Sequence, residues 1–449
     1  MSASSGSEHA FVHAPNKTLL QLAVPVLFSL VAEPVTGLVD TAFVARLGME
    51  PVAALGIGAM VFSSIFWIFN FLGIGTQTEV ARFSGENRAD RAAGISTLAV
   101  FLGGGIGFVL LVGALPFLTP AASLLGGNDA VLDLSEQYMR YRLLGAPAVL
   151  VCLACFGSLR GCQDMSTPLW VATGMNLLNV GLDYVFVFGF GPVPALGVGG
   201  AGLASSLSQW TGAIWVLWVV RRRIGFSLHI GLADLKKLIR IGGDLFIRTG
   251  AVLLFLSLCT RVANQAGAGQ GAAYQAGRQF FIFTALFMDA FAITAQSLVG
   301  FFLGRNDVQQ ARRVAVYACV WSLVTGAGLC LFMLVGRNAI ATLLLPVEAH
   351  ALFQPSWTLL ACIMPLFSLA CATDGIHWGA GDFRYLRNAM LVASVVGGAL
   401  VLTVRDMPDV LMLVWASTGV WAACRGALGV VRISPGVGRA PLQGKAPIL

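Results

Sequence analysis

Long apolar segments alternate with short polar ones from one end of the chain to the other. Apolar runs of about 20 residues are typical of helices that cross a membrane. Backbone groups inside a bilayer need partners within the same segment, so each run is predicted to be an α-helix. We place twelve spans, at residues 19–45, 53–80, 92–117, 135–158, 168–190, 198–220, 239–264, 272–302, 311–335, 352–378, 387–404 and 409–431.

Composition supports an all-α polytopic membrane protein. The chain has 449 residues, of which 57% are hydrophobic and 11% charged, whereas a soluble domain has about a quarter charged residues. The nine cysteines fall within or at the ends of spans, so we expect no disulfide framework. The first eighteen residues are polar and lack an apolar core, so no cleaved signal peptide is expected.

The net charge of +7 reflects topology. Basic residues collect in every second loop, for example at 221–223 and 236–237. The opposite loops hold little beyond Arg46, Arg337 and Arg405, with Arg140 and Arg142 near the start of the fourth span. The positive-inside rule then predicts that both termini are cytoplasmic. We expect a monomer in a bacterial inner membrane, in contact with lipids and a small organic substrate, and no nucleic-acid partner.

The two halves of the chain repeat each other. An offset of 219 residues aligns ARFSGENRADRAA (81–93) with GFFLGRNDVQQAR (300–312), and an offset of 218 aligns later positions. The matched pairs include Gly48 with Gly267, Gln77 with Gln296, Gly85 with Gly304, Asn87 with Asn306, Pro147 with Pro365, Gly157 with Gly375 and Gly161 with Gly379. Each half has an even number of spans, so the repeats are parallel, an arrangement that transporters use with a substrate site near the bilayer midplane.

The repeat divides the chain into two lobes of six helices. We predict an N-terminal cytoplasmic tail at 1–18, an N-lobe at 19–220, a cytoplasmic linker at 221–238, a C-lobe at 239–431 and a C-terminal cytoplasmic tail at 432–449. The linker has an amphipathic pattern suited to the membrane surface.

A first polar cluster lies in the first span, in VAEPVTGLVD (31–40). Glu33 and Asp40 are seven residues apart and share a helix face. Pro25 and Pro34 each remove a backbone hydrogen bond, which favours kinks and frees carbonyl groups. An acid within a membrane costs about 2.5–3.5 kcal/mol on insertion scales and suggests a function by default.

A second polar cluster lies in the fifth span. Asn176, Asn179 and Asp183 recur at spacings of three and four, which places them on one helix stripe. The repeat aligns Asp183 with Val401 and Asp40 with Cys259, so the second half does without these acids. That asymmetry favours a functional role, although buried acids and amides can also join helices.

Other charges lie in the second half. Asp374 precedes His377 by three residues and either completes a second-lobe ion site or forms a structural pair. Asp289 and Arg278 are predicted to pair within the eighth span. No zinc, nucleophile-elbow or nucleotide-hydrolysis motif occurs, so we expect no enzyme activity, no cofactor and no metal. Energy for transport must therefore come from an ion gradient or from a partner.

Several motifs resemble the multidrug and toxic compound extrusion (MATE) family, in its DinF-like branch. They are LAVP (22–25), LVDTAFVARLG (38–48), AALGIG (53–58), the second-span residues Gln77, Ala81 and Gly85, LRGCQDMSTP (159–168) and ATDGIHWGAGD (372–382). The resemblance covers nearly the whole chain. It implies an antiporter that exports organic, often cationic and amphipathic, compounds in exchange for protons or sodium.

The resemblance also assigns residues. The acidic first-span residue of the family matches Asp40, and its fifth-span pair matches Asn179 and Asp183. An acid of its sodium-driven branch matches Asp374, but the further acid of that branch, in the seventh or eighth span, has no clean counterpart. This departure favours protons as the coupling ion, acting at Asp40 and Asp183.

A physical mechanism follows from the buried acids. Burial disfavours the charged form of a carboxylate, so it can titrate near neutral pH. When the cavity faces outward, Asp40 and Asp183 would take protons and release a bound cation. When it faces inward, they would lose protons and could hold the next cation. The substrate-binding set is Asp40, Asn179, Asp183, Asn176 and Glu33, with Pro25 and Pro34 allowing gating. The alternatives are sodium coupling, export of organic anions, and a receptor without transport activity.

Overall fold

The computed structural model describes residues 9–126, 129–228, 230–344 and 350–443. These residues form α-helices joined by short connections. The helices are α1 (Ala10–His13), α2 (Pro15–Val44), α3 (Met49–Phe69), α4 (Phe71–Gly85), α5 (Ala89–Gly113), α6 (Leu118–Leu124), α7 (Asp129–Leu143), α8 (Ala146–Gly161), α9 (Ser166–Phe188), α10 (Val198–Arg223), α11 (Leu232–Gln265), α12 (Ala268–Gly304), α13 (Val308–Val335), α14 (Arg337–Leu344), α15 (His350–Gly379), α16 (Phe383–Thr403) and α17 (Val410–Ile433).

The described helices account for all twelve predicted spans. Eleven candidates are long and apolar enough to cross a membrane, and the bent pair α7 and α8 supplies the twelfth when it counts as one span. The two helices of this pair meet at 49°. Pro147 lies in the first turn of α8, where its missing N–H is tolerated and where it favours a new helix start. The predicted all-α polytopic fold is confirmed.

The chain divides into two compact units. The first unit takes Val24–Gly242, and the second takes the described residues up to Ala23 and those from Gly243 onward. Both divisions fall inside a helix, since Ala23 lies in α2 and Gly242 in α11. Val24 and Gly243 are 219 residues apart, so each division falls at the same position of the repeat.

The N-terminal segment, predicted to be a tail, packs within the second unit. Phe11 is fully buried and contacts the rings of Phe302 and Tyr317. Arg313 donates a hydrogen bond to the Val12 carbonyl oxygen at 3.2 Å. The first span helix also begins earlier than predicted, at Pro15. One buried aromatic residue therefore ties a mostly polar segment to α12 and α13.

The C-terminal segment is held in a similar way as far as it is described. Leu442 is buried, and its carbonyl oxygen accepts a hydrogen bond from Arg312. Arg312 also donates to the Gln443 side chain at 2.7 Å, and Gln443 donates to the Ile433 carbonyl at 3.0 Å. The described part of the predicted tail at 432–449 is thus packed against α13 and α17.

The last residues of the predicted linker form the start of α11 and pack within the first unit. Arg91 binds Asp234 at 2.6 Å, and Lys237 binds Glu79 at 2.8 Å. Glu79 is buried, so the Lys237 ammonium neutralises a charge that would otherwise be costly. These two ion pairs hold the first turns of α11 against α4 and α5.

Backbone conformation supports the internal repeat. Left-handed backbone conformations occur at matching positions of the two halves. The pairs are Gly48 and Gly267 (φ 128° and 134°), Asn87 and Asn306 (φ 56° and 60°), and Gln163 and Gly381 (φ 64° and 71°). Few non-glycine residues adopt such angles. The same turns therefore recur after the same helices.

Helix crossings are repeated as well. A Cβ added at Gly157 would lie 2.4 Å from the carbonyl oxygen of Gly73, and one added at Gly375 would lie 2.2 Å from that of Ala292. Gly73 and Ala292 are themselves 219 residues apart. The crossing of α4 with α8 therefore has a counterpart in the crossing of α12 with α15, and both need glycine for the helix backbones to meet.

We expect Gly157→Ala to destabilise the protein by about 1–3 kcal/mol, the usual cost of overpacking. The new methyl group would meet backbone atoms of α4, which cannot rotate away. The measurement is the thermal unfolding midpoint in detergent, followed by tryptophan fluorescence.

The matched control is Gly105→Ala in α5, because no atom lies within 4 Å of the added Cβ. Alanine favours a helix there by about 0.5–1 kcal/mol. Equal midpoints for the two variants would contradict the close crossing of α4 and α8.

Candidate functional site

The first unit brings together three of the predicted site residues. Asp40 lies on α2, and Asn179 and Asp183 lie on α9. Their exposed fractions are 9%, 3% and 0%. The carboxyl groups of Asp40 and Asp183 lie within hydrogen-bonding reach of each other. We refer to these two residues as the carboxyl pair.

Asn179 connects the carboxyl pair to a third helix. With its amide oriented to satisfy both atoms, Asn179 donates a hydrogen bond to Asp40 Oδ1 at 3.0 Å and accepts one from the Ser205 backbone N–H at 3.2 Å. Ser205 lies on α10. The amide therefore fixes the position of Asp40 relative to α9 and α10, and it gives one Asp40 oxygen a donor.

Asp183 has no comparable donor. Among the described residues, neither of its buried carboxylate oxygens accepts a hydrogen bond from a protein group. An ionised carboxylate only accepts hydrogen bonds, so two ionised groups cannot bond to each other. One proton between Asp40 and Asp183 would provide the missing bond, and so would a cationic ligand that replaces the proton.

Two neighbours of the carboxyl pair were missed by the sequence analysis. On α7, Tyr138 interacts electrostatically with both acids, and Arg142 interacts with Asp40. The Arg142 guanidinium also lies 5.4 Å from the centre of the Phe66 ring. Tyr138 and Arg142 are four residues apart and therefore share a helix face. That spacing is visible in the sequence, but the sequence alone does not show that α7 brings Arg142 to the carboxyl pair.

The remaining residues predicted for the first lobe are less buried than this cluster. Glu33 and Pro34 are exposed, and Asn176 is partly exposed. None of the hydrogen bonds found among the described residues joins Glu33 or Asn176 to the carboxyl pair. Helix α2 continues through both Pro25 and Pro34. Their roles in substrate binding and gating stay predictions.

The second unit holds a different charged cluster. Arg248 of α11 and Arg425 of α17 both donate hydrogen bonds to Oδ2 of Asp374 on α15, the latter at 2.6 Å. All three side chains are largely buried. Arg425 also stacks on Trp421, with 4.3 Å between the guanidinium carbon and the ring centre. This arrangement favours the structural interpretation of Asp374 over an ion site.

Asp289 of α12 completes the cluster. Its electrostatic neighbours are Arg248, Arg425 and Asp374. The predicted pair of Asp289 with Arg278 is wrong, because eleven residues along one helix separate their positions by about 16 Å. The eighth span therefore does supply an acid near Asp374. The two acids face two guanidinium groups, so the charges of the cluster balance when both acids are ionised.

These observations define a polytopic helical protein with two repeated units and a buried carboxyl pair in one of them. The MatE family model matches residues 25–185 and 249–403, once in each half of the chain. The chain belongs to the MatE family.

Relatives agree with this family assignment, and a solved structure agrees with the fold. The chain is 29% identical over 444 residues to Protein DETOXIFICATION 44, chloroplastic, of Arabidopsis thaliana, covering 96% of this chain and 84% of that protein. It is 27% identical over 432 residues to DNA damage-inducible protein F of Escherichia coli strain K12, covering 93% and 92%. A crystal structure of MATE in the bent conformation matches with a TM-score of 0.87 at 19% identity, covering 98% of this chain and all of that one.

We expect Asp374→Asn to destabilise the protein by about 3–5 kcal/mol, because it removes the counter-charge that both buried guanidinium groups are hydrogen-bonded to. Asp40→Asn should cost far less, because an asparagine can accept from Asn179 and donate to Asp183. Thermal unfolding of both variants in detergent tests this difference.

A matched double replacement sharpens the test. Replacing Asp374 by asparagine together with Arg425 by methionine should recover part of the loss, because one uncompensated charge is removed. Unfolding midpoints for Asp374→Asn equal to those of the wild type would contradict a structural role for this cluster.

Proposed function

We propose that the chain is a secondary antiporter that exports organic cations in exchange for protons, and that the carboxyl pair binds both. As a member of the MatE family the chain is a membrane transporter of the multidrug and toxic compound efflux class. The observation that carries the more specific proposal is the buried pair itself, in which Asp183 has no donor among the described residues.

Charge balance prevents a proton and an organic cation from binding to the carboxyl pair at the same time. Two ionised carboxylates beside the guanidinium of Arg142 leave one negative charge. Either one proton or one monovalent organic cation neutralises it. Adjacent like charges also disfavour ionisation of both acids when no cation is bound. Binding of a cation therefore expels the proton, and binding of a proton expels the cation, which is the exchange that an antiporter needs.

The second unit supports protons over sodium. A cation site needs uncompensated oxygen ligands, but Asp374 is occupied by Arg248 and Arg425. Sodium binding there would have to displace guanidinium groups from a buried carboxylate. The proposed coupling ion is therefore the proton.

One observation favours the alternative of an organic anion as substrate. The Nε atoms of Arg248, Arg278 and Arg425 are buried without a hydrogen-bond partner among the described residues. An anion in the second unit would find donors there. Asp374 and Asp289 already balance two of these charges, however, so we favour the cation.

We also propose an orientation and a location. The uneven distribution of basic residues supports cytoplasmic termini by the positive-inside rule. A bacterial inner membrane, across which a proton gradient is maintained, fits the proposed exchange.

We expect Asp40→Asn and Asp183→Asn to reduce proton-driven transport to the rate of protein-free liposomes. Asparagine keeps the shape and hydrogen bonding of aspartate but cannot exchange a proton. The measurement is accumulation of a fluorescent organic monocation in proteoliposomes after a pH jump, with insertion verified for each variant. The transport rate of the double variant should be no lower than that of the slower single variant, since the two acids act as a unit.

The control is Asp133→Asn, which removes an exposed acid from α7 and should transport normally. A sodium gradient without a pH gradient should drive no accumulation. Normal transport by Asp183→Asn would overturn the role of the carboxyl pair, and strict sodium dependence would overturn the assignment of the proton.

A further inference from the structure

A groove between α9 and α10 of the first unit has no role in the proposed exchange. It encloses about 440 Å³ and is lined by Trp170, Trp215, Trp218, Arg222 and neighbouring side chains. Trp170 and Trp218 are more than half exposed. Exposed tryptophans grouped around an arginine are unusual for a surface that faces only lipid tails.

Helix geometry builds the two walls of this groove. Trp215, Trp218 and Arg222 are spaced by three and four residues and form one stripe on α10. Trp170 and Gly174 form the facing stripe on α9. A Cβ at Gly174 would lie 2.6 Å from Cζ3 of Trp215, so that indole packs directly on the α9 backbone. The floor of the groove is thus fixed in place.

The groove also presents an uncompensated positive charge. The Arg222 guanidinium lies 4.2 Å from the ring centre of Trp218 and has no ion pair with a described residue. The next residue, Arg223, is bound to Asp164, and Asp164 also accepts a hydrogen bond from the Thr167 hydroxyl at 2.7 Å. Arg222 is therefore the group that remains available to an anion.

The groove is well placed for a lipid headgroup. It lies where α9 begins and α10 ends, at the basic end of both spans. Tryptophan favours the interface between the hydrocarbon core and water, where it presents an apolar face and a polar edge. Basic sites between membrane helices at this depth bind anionic headgroups.

We propose that this groove binds an anionic phospholipid, with its phosphate on the Arg222 guanidinium and its glycerol and upper acyl chain along Trp170 and Trp218. Guanidinium groups recognise phosphate oxygens through paired hydrogen bonds. The indole faces offer apolar contact over the length of the headgroup junction. The positive charge disfavours the organic cation proposed as the transported substrate.

The test counts lipids bound to the intact protein. Native mass spectrometry of the detergent-purified chain is carried out during titration with phosphatidylglycerol and, separately, phosphatidylcholine. We expect one phosphatidylglycerol to bind more tightly than the rest, and Arg222→Ala to weaken that binding about fivefold. Trp218→Ala should weaken it as well, and Arg222→Lys should retain part of it.

Arg221→Ala is the matched control, because Arg221 is the adjacent exposed arginine and is not part of the groove lining. It should leave the tight binding unchanged. Equal losses from Arg221→Ala and Arg222→Ala would show diffuse attraction and overturn the site. Equal binding of phosphatidylcholine would overturn the anionic preference, and full displacement by glycerol phosphate would show a free phosphate site in place of a lipid site.

Discussion

The structure depends on one constraint, which is that a carboxylate buried in a membrane span must be neutralised. The two units meet this constraint in different ways. Asp374 is neutralised by Arg248 and Arg425, which are fixed parts of the protein. Asp183 finds no donor among the described residues, which fits the exchangeable neutralising partner that the proposed antiport requires. A permanent partner stabilises a fold, whereas an exchangeable one allows ion-coupled transport.

The repeat explains how one scaffold supports both solutions. The turns at Asn87 and Asn306 share the same left-handed conformation. At Gly157 and Gly375 the backbones of two crossing helices approach each other to a similar distance. These turns and crossings were therefore retained while side chains diverged. The asymmetry of the acids lies in the side chains, since the position equivalent to Asp40 carries a cysteine in the second half.

The sequence predicts the helices well, because apolar runs decide where a chain crosses a membrane. It also predicts the carboxyl pair with Asn179, because polar groups in such runs stand out. It fails where packing between helices decides the outcome. Arg142 reaches the site only through the placement of α7, and the electrostatic neighbours of Asp289 lie on other helices of its unit and not on its own. Phe11 was missed because one aromatic side chain leaves little trace in a polar segment.

In the proposed exchange, one proton and one organic cation compete for the carboxyl pair. The most direct test measures proton release in lightly buffered detergent solution when an organic monocation binds to the purified protein. Because coupling is reciprocal, we expect the wild type to release about one proton per cation bound, and Asp183→Asn to release none. Stoichiometric cation binding by the wild type with no proton release would rule out this competition.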